Sequence, residues 1–306
     1  MLSIILYLLV SVTGQVIFNL PRPLPKFITT TDYFIQSDPN EPYQSIANFG
    51  LKPEWNWDSL IEQVKSLPNH KLFLLQRHGE GYHNIAPTNY SRHDWNCNWQ
   101  LKSGNGEIEW EDARLTSVGQ GQITSLRKQI SLTKQFPQPQ AFYVSPLRRT
   151  LETWDLTWRQ PNQSPLPMIK ELARETYGIG TESKRHNKTY IETNYPGFIF
   201  ELGFSEIDNL WNPDFHESEQ HRNYRSGKLL QELFNENEEN YVISLVAHSG
   251  LIKSILQVID HRKWPMHTGE LIPVVIGMTY QSEIYELDDP WRSLSDVCKI
   301  SSSLIE

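Results

Sequence analysis

Lys71-Leu72-Phe73-Leu74-Leu75-Gln76-Arg77-His78-Gly79-Glu80 is the stretch on which the fold turns. It begins as a short apolar run and ends in polar residues, the pattern of a strand buried on both faces of a parallel sheet. The pattern recurs downstream. Ala141-Phe-Tyr-Val-Ser145 is a second such strand, stopped by Pro146. Pro167-Met-Ile-Lys-Glu-Leu172 is a weaker one, and Tyr241-Val-Ile-Ser-Leu-Val-Ala247 the strongest. Helical spacing fills the intervals. Val118, Ile123, Leu126 and Ile130 predict a helix over 116–130, Leu147–Trp158 a second, and Ser249–Ile259 a third. Strands alternating with helices predict an α/β fold: a three-layer sandwich with a mostly parallel central sheet and helices on both faces.

Ligands of open α/β sheets bind beyond the carboxyl ends of the strands. Arg77-His78-Gly79-Glu80 follows the first strand, Ser145-Pro146-Leu147-Arg148-Arg149-Thr150 the second, Ala173-Arg174-Glu175 the third and His248-Ser249-Gly250 the last. No core requires such an accumulation. Arginines present planar donor pairs that match phosphate oxygens. A helix starting at Ser249 adds backbone N–H groups and a favourable dipole. A neutral imidazole is a competent nucleophile toward phosphorus, and nearby guanidiniums keep it neutral. A carboxylic acid supplies the proton that a leaving alkoxide needs.

The rest of the chain sets bounds. Its 306 residues are 38% hydrophobic and 11% aromatic, enough for a substantial core. The net charge of −8 offers no basic face for nucleic acid, so any phosphate chemistry must rest on a local positive cluster. Cys97 and Cys298 make neither a disulfide framework nor a metal site; they are two unrelated thiols or one bridge. Leu2–Val12 is an apolar run followed by small residues. It reads as a secretory signal over residues 1–14, cleaved after Gly14, although no Lys or Arg precedes it; an N-terminal strand or buried helix is the other reading. The run is too short to span a membrane, so stable membrane insertion is not expected after cleavage. Sequons at Asn89, Asn162 and Asn187 fit secretion and glycosylation. Residues 15–70 are punctuated by Pro21, Pro23, Pro25, Pro39, Pro42, Pro53 and Pro68, which argues against long regular elements. They read as an extension packed on the core, with one short helix after Trp55 whose predicted N-cap is Asp58.

Taken in order, these motifs resemble the histidine phosphatase (phosphoglycerate mutase-like) superfamily. Arg77-His78-Gly79-Glu80-Gly81-Tyr82-His83-Asn84 resembles its signature. Leu115–Gly119, Ser145–Thr150, Leu172–Gly178 and Ala247–Gly250 match its later segments. The resemblance implies that 71–306 is the phosphatase domain, with insertions. It implies His78 as the transient phosphohistidine, and Arg77, Arg148 and His248 as clamps on the phosphoryl oxygens. Asn84 would bond the phosphate, and Glu175 would serve as acid and then base. No metal or organic cofactor is implied, and the partner is a small phosphate ester.

Two departures favour the mutase-like branch over the acid phosphatase branch. Gly81-Tyr82-His83-Asn84 follows Glu80 where the latter has Arg-x-Pro, and Ser249 follows His248 where it has Asp. Glycolytic mutases carry Ser and Trp where Gly81 and His83 stand. Glu182-Ser183-Lys184-Arg185 resembles the Cys-Asp-Lys-Arg element of a fungal and plant group. The expectation is a phosphomonoesterase acting on small phosphorylated molecules, with a phosphomutase or an inactive phosphate-binding relative as alternatives. Lys184 and Arg185 either touch the distal part of the substrate or lie on a solvated loop. The aromatics of 85–112 either stack on a ring of the substrate or pack a lid.

Overall fold

A computed structural model describes residues 22–43, 47–285, 287 and 289–303. The apolar run at Leu2–Val12 and the expected cleavage site lie outside the described residues. Within them the strands are β1 (Arg22–Thr29), β2 (His70–Arg77), β3 (Ala141–Val144), β4 (Met168–Ile169), β5 (Ile199–Phe200), β6 (Phe215–His216), β7 (Val242–Ala247), β8 (Leu271–Tyr285) and β9 (Arg292–Ser293). The α-helices are α1 (Trp57–Ser66), α2 (Tyr82–Ile85), α3 (Arg92–Cys97), α4 (Ser117–Leu132), α5 (Arg148–Trp158), α6 (Lys188–Asn194), α7 (Glu219–Asn235), α8 (Ser249–Val258) and α9 (Leu294–Ser303).

The central sheet has the order β1-β8-β2-β7-β3-β4-β5. The pairs from β2 to β5 are all parallel, and β8 alone runs against its neighbours β1 and β2. Alternation along β2 divides its apolar residues between two layers. Leu72 and Leu74 pack with Trp57, Leu60 and Val64 of α1 and with Leu151 and Trp154 of α5. Phe73 and Leu75 pack with Leu229 and Leu233 of α7 and with Ile252 and Ile255 of α8. Helices therefore cover both faces, as a three-layer α/β sandwich requires. All four β2 residues are fully buried, each contributing roughly 1.5–3 kcal/mol of transfer free energy.

Three local expectations need correction. Pro23 and Pro25 do not prevent a regular element: eight-residue β1 is an edge strand paired antiparallel to β8, with an irregularity between Pro25 and Phe27. An edge strand leaves one row of backbone groups unpaired, so the missing proline N–H costs nothing there. The N-cap of α1 is Asn56, not Asp58; Asn56 and Ser59 bond each other's backbones in a capping box. Val118 lies on the solvent side of α4, 57% exposed, while Ile123, Leu126 and Ile130 face the core.

Register places the site. Arg77 pairs with Ala247 across β2 and β7, and Val144 pairs with Val246 across β3 and β7. The next residues, His78, His248 and Ser145, therefore leave the sheet side by side.

Candidate active site

His78 is 2% exposed, and its Nδ1 lies 2.7 Å from the carbonyl oxygen of Gly79. A carbonyl only accepts, so Nδ1 carries the proton and Nε2 the lone pair. The backbone here is gripped from two sides. Gly269 N donates to His78 O at 2.9 Å, and Arg77 N donates to Glu270 O at 2.9 Å. Thr116, the N-cap of α4, donates its backbone N–H to Glu80 O at 2.9 Å. A Cβ on Gly119 would stand 2.0 Å from Glu80 O, so only glycine lets α4 approach the loop this closely.

Three imidazoles gather at this point. The His78 ring lies 5.1 Å from that of His248 and 5.1 Å from that of His83, centroid to centroid. His248 Nε2 is 2.8 Å from Ser145 Oγ, while Nδ1 is buried without a protein partner. Burial, then the Arg149 charge, holds all three imidazoles well below their usual range. They are neutral at pH 7. His83 was not among the residues expected in the site. Its only signal was the replacement of the mutase tryptophan at that position.

The expected clamp at Arg148 is overturned. Arg148 Nε donates to Asp112 O at 2.5 Å, and its two Nη atoms reach Tyr190 Oη at 3.3 Å and Glu111 O at 3.2 Å. The cation beside the histidines is Arg149. On α5 it shares a stripe with Thr153 and Thr157, spaced at i, i+4 and i+8. Thr157 Oγ1 accepts from Gln76 Nε2 at 2.7 Å, and Thr153 Oγ1 accepts from Gly79 N at 3.1 Å. That stripe follows β2 and brings Arg149 to the end of it. Arg148 sits about 100° round the helix and points elsewhere. Arg149 is 1% exposed; burial pulls it down to about 10 despite Asp112, Glu175 and Glu182 nearby. Its Nη1 donates to Glu182 O at 2.8 Å, and its Nε has no protein partner. Arg77 is similar: Nη1 donates to Met266 O at 2.6 Å and Nε is buried and unpartnered.

Glu175 reaches the same site from the loop after β4. Its Oε2 accepts from Gly250 N at 3.1 Å, in the first turn of α8. A Cβ on Gly250 would lie 2.1 Å from Glu175 Oε1, so glycine there admits the carboxylate. The Glu175 charge is felt at both Arg77 and Arg149. Glu182 adds a second buried carboxyl beside Arg149, raised by burial, with Oε2 unpartnered. Asn84, by contrast, spends its Oδ1 on Gly81 N at 2.9 Å and braces the loop opening α2. Arg185 is structural: 3% exposed, it bonds Glu171 Oε1 and the carbonyls of His186, Ser205, Glu206 and Ile207. Lys184 pairs with Glu111 at 3.0 Å.

The 85–112 aromatics pack on one another. Tyr90 stacks on Trp99 at 4.6 Å, and Trp95 meets the fully buried Trp110 at 5.2 Å. Cys97 on α3 is disulfide-bonded to Cys298 on α9, with Cα atoms 5.5 Å apart. Among the described residues no group of three or more His, Cys, Asp or Glu could hold a metal ion, and no helix is long and apolar enough to cross a membrane.

At the carboxyl ends of the parallel sheet of this α/β fold, buried histidines stand beside arginines whose Nε donors lack protein partners. The family follows from sequence. The profile of the histidine phosphatase superfamily (branch 1) matches residues 73–274, and the chain belongs to that superfamily. It is 51% identical over 279 residues to Phosphomutase-like protein 3 of Candida albicans, covering 90% of this chain and 87% of that one. It is 33% identical to a probable phosphoglycerate mutase of Arthroderma benhamiae, over 89% of this chain and 90% of the relative. A mycobacterial glucosyl-3-phosphoglycerate phosphatase structure aligns with 71% of this chain and 98% of its own, at 17% identity and a TM-score of 0.41.

Proposed function

We propose that the protein is a phosphomonoesterase that passes the phosphoryl group through His78 to water. The observation that carries this reading is the orientation of His78. Its Nδ1 is committed to Gly79 O, and Nε2 bears the lone pair among donors that lack full protein partners. Arg77 and Arg149 take the phosphoryl oxygens, in place of Arg77 and Arg148. With Ser145 Oγ donating to Nε2, His248 carries its proton on Nδ1 and donates there too. His83 lines the same space. Charge on the equatorial oxygens is thereby spread over fixed donors, which is most of what phosphoryl transfer requires.

The steps balance. His78 Nε2 attacks phosphorus, the ester P–O bond breaks, and protonated Glu175 gives its proton to the leaving oxygen. Glu175 then takes a proton from water, whose oxygen attacks the phosphohistidine. The P–N bond breaks, inorganic phosphate leaves, and Glu175 ends protonated. Turnover of p-nitrophenyl phosphate between acid and neutral pH tests the reading, with an acid-labile phosphoenzyme trapped on His78. No turnover at any pH, or full activity in His78→Ala, sinks it. If a phosphoglycerate with its bisphosphate primer isomerises faster than it releases phosphate, the protein is a mutase instead.

We also infer passage through the secretory pathway. Asn89, Asn162 and Asn187 are all exposed, and a disulfide of this kind persists in an oxidising compartment. A mobility shift on endoglycosidase treatment of the native protein is expected; its absence would count against glycosylation.

A further inference from the structure

We propose that Arg225 and Glu217, from α7 and the segment just before it, form a positioning pair that sets the acid–base carboxyl of Glu175. This rests on the role given to Glu175 above. Residues 174–180, just past a short 3-10 turn at Glu171–Ala173, belong to no helix or strand, so no ladder fixes their backbone. Arg225 supplies the missing bonds. Its Nη1 donates to the carbonyls of Leu172 and Arg174 at 2.8 and 2.9 Å, and its Nη2 donates to the carbonyl of Glu175 at 3.1 Å.

The remaining face of the guanidinium is locked by Glu217, Nε to Oε1 at 2.9 Å and Nη2 to Oε2 at 2.7 Å. Glu217 holds the other side of the loop. Its Oε2 accepts from Tyr177 N at 3.0 Å, and its own N donates to Tyr177 O at 2.9 Å. The Tyr177 ring lies against the guanidinium at 4.1 Å, and His221 Nδ1 is 2.7 Å from Glu217 Oε1. Glu175 is thus tied on its own carbonyl and on both flanks, while its carboxyl remains free to reach Gly250 N. Arg225 and Glu217 are both 2% exposed, and their hydrogen bonds go to each other, to His221 and to the loop that carries Glu175. A planar fork with five donors can do this; an ammonium cannot.

The test separates positioning from mere stability. A poor alkoxide leaving group needs the Glu175 proton; p-nitrophenolate scarcely does. In Arg225→Lys, kcat/KM on glycerol 2-phosphate should fall about 100-fold, the low end of general acid catalysis. On p-nitrophenyl phosphate it should fall less than about 5-fold. Glu217→Gln, which keeps the shape and the acceptor for Tyr177, should split the two substrates in the same direction. Equal losses on both substrates at an unchanged thermal midpoint, or no loss on either, overturn the proposal. So does failure of both variants to fold, which would make the pair a stability element. Glu175→Gln is the control. It should show the same split; if it does not, the acid role of Glu175 is what has failed.

Discussion

The regions around Arg185 and around His78 both bury arginine, and they differ in what the arginine touches. Around Arg185 the guanidinium is consumed: Glu171 and four backbone carbonyls take its donors. Around His78 the donors are left over. Arg77 Nε, Arg149 Nε, His83 Nδ1 and His248 Nδ1 are all buried with no protein partner. Burying a polar group without a bond is costly, and the proposed phosphate site would supply the missing partner to each of these groups. Burial alone would have scored the two regions alike.

The sharpest break with that comparison would come from His78. His78→Ala should lower kcat on p-nitrophenyl phosphate by on the order of 10⁵-fold while leaving the fold intact. Next, Arg149→Ala should cost roughly 10²–10³-fold in kcat/KM, as loss of a single transition-state donor does, while Arg148→Ala costs far less. Reversal of that order would restore the clamp expected at Arg148. In the other region the loss should appear as stability. Arg185→Ala takes one of its two arginine partners from Glu171 and the shared donor from four backbone carbonyls, and should cost about 3–5 kcal/mol in chemical denaturation. If Arg185→Ala were stable and inactive, the two regions would not differ in kind.

The acid limb of stability sharpens the contrast further. Burial and the Arg149 charge hold His78, His83 and His248 well below 6.5, the value each recovers on unfolding. The unfolded chain then binds more protons, so stability declines as pH falls below about 6.5. Glu217 adds a second decline. Burial alone would raise it, but Arg225 and His221 pull it down to about 2 from 4.5. Its contribution is present above pH 4.5 and fades as pH falls from there toward 2. Thermal midpoints measured from pH 7 to 5 should drop less steeply in His248→Asn; an unchanged slope would refute the neutral-histidine picture. The smallest effect lies farthest from the chemistry. Replacing Cys97 and Cys298 by serine should cost about 2–4 kcal/mol and leave kcat/KM unchanged, since among the described residues the side chains gathered around His78 come from elements other than α3 and α9.

Much of this was legible before any coordinates. The apolar runs at 71–76 and 241–247 became β2 and β7, and the polar residues after them met at adjacent strand ends. Register follows from parallel pairing, so His78 and His248 came together as expected. The choice between Arg148 and Arg149 was not legible in the motif. Adjacent residues on a helix point about 100° apart, and only the phase of α5 decides which meets the strand end. The run Arg149, Thr153, Thr157 carried that phase as a polar stripe opposite Leu151, Trp154 and Trp158. Asn84 shows how a loop side chain divides its work: its Oδ1 accepts from Gly81 N, and its Nδ2, the donor a phosphate would need, takes no part in that bond. β1 was hidden by prolines that only an edge position tolerates. His83 and Glu182 gave no periodic signal, since loops bring both to the site.

The bridge between Cys97 and Cys298 spans 201 positions. Arg149, Glu175 and His248 all lie inside that covalent ring, and His78 lies outside it. A single cut by a protease at any exposed turn of the ring, such as the polar stretch Asn235–Asn240, opens the ring without releasing a fragment. On a gel such a nicked chain runs as one species until it is reduced, and then as two.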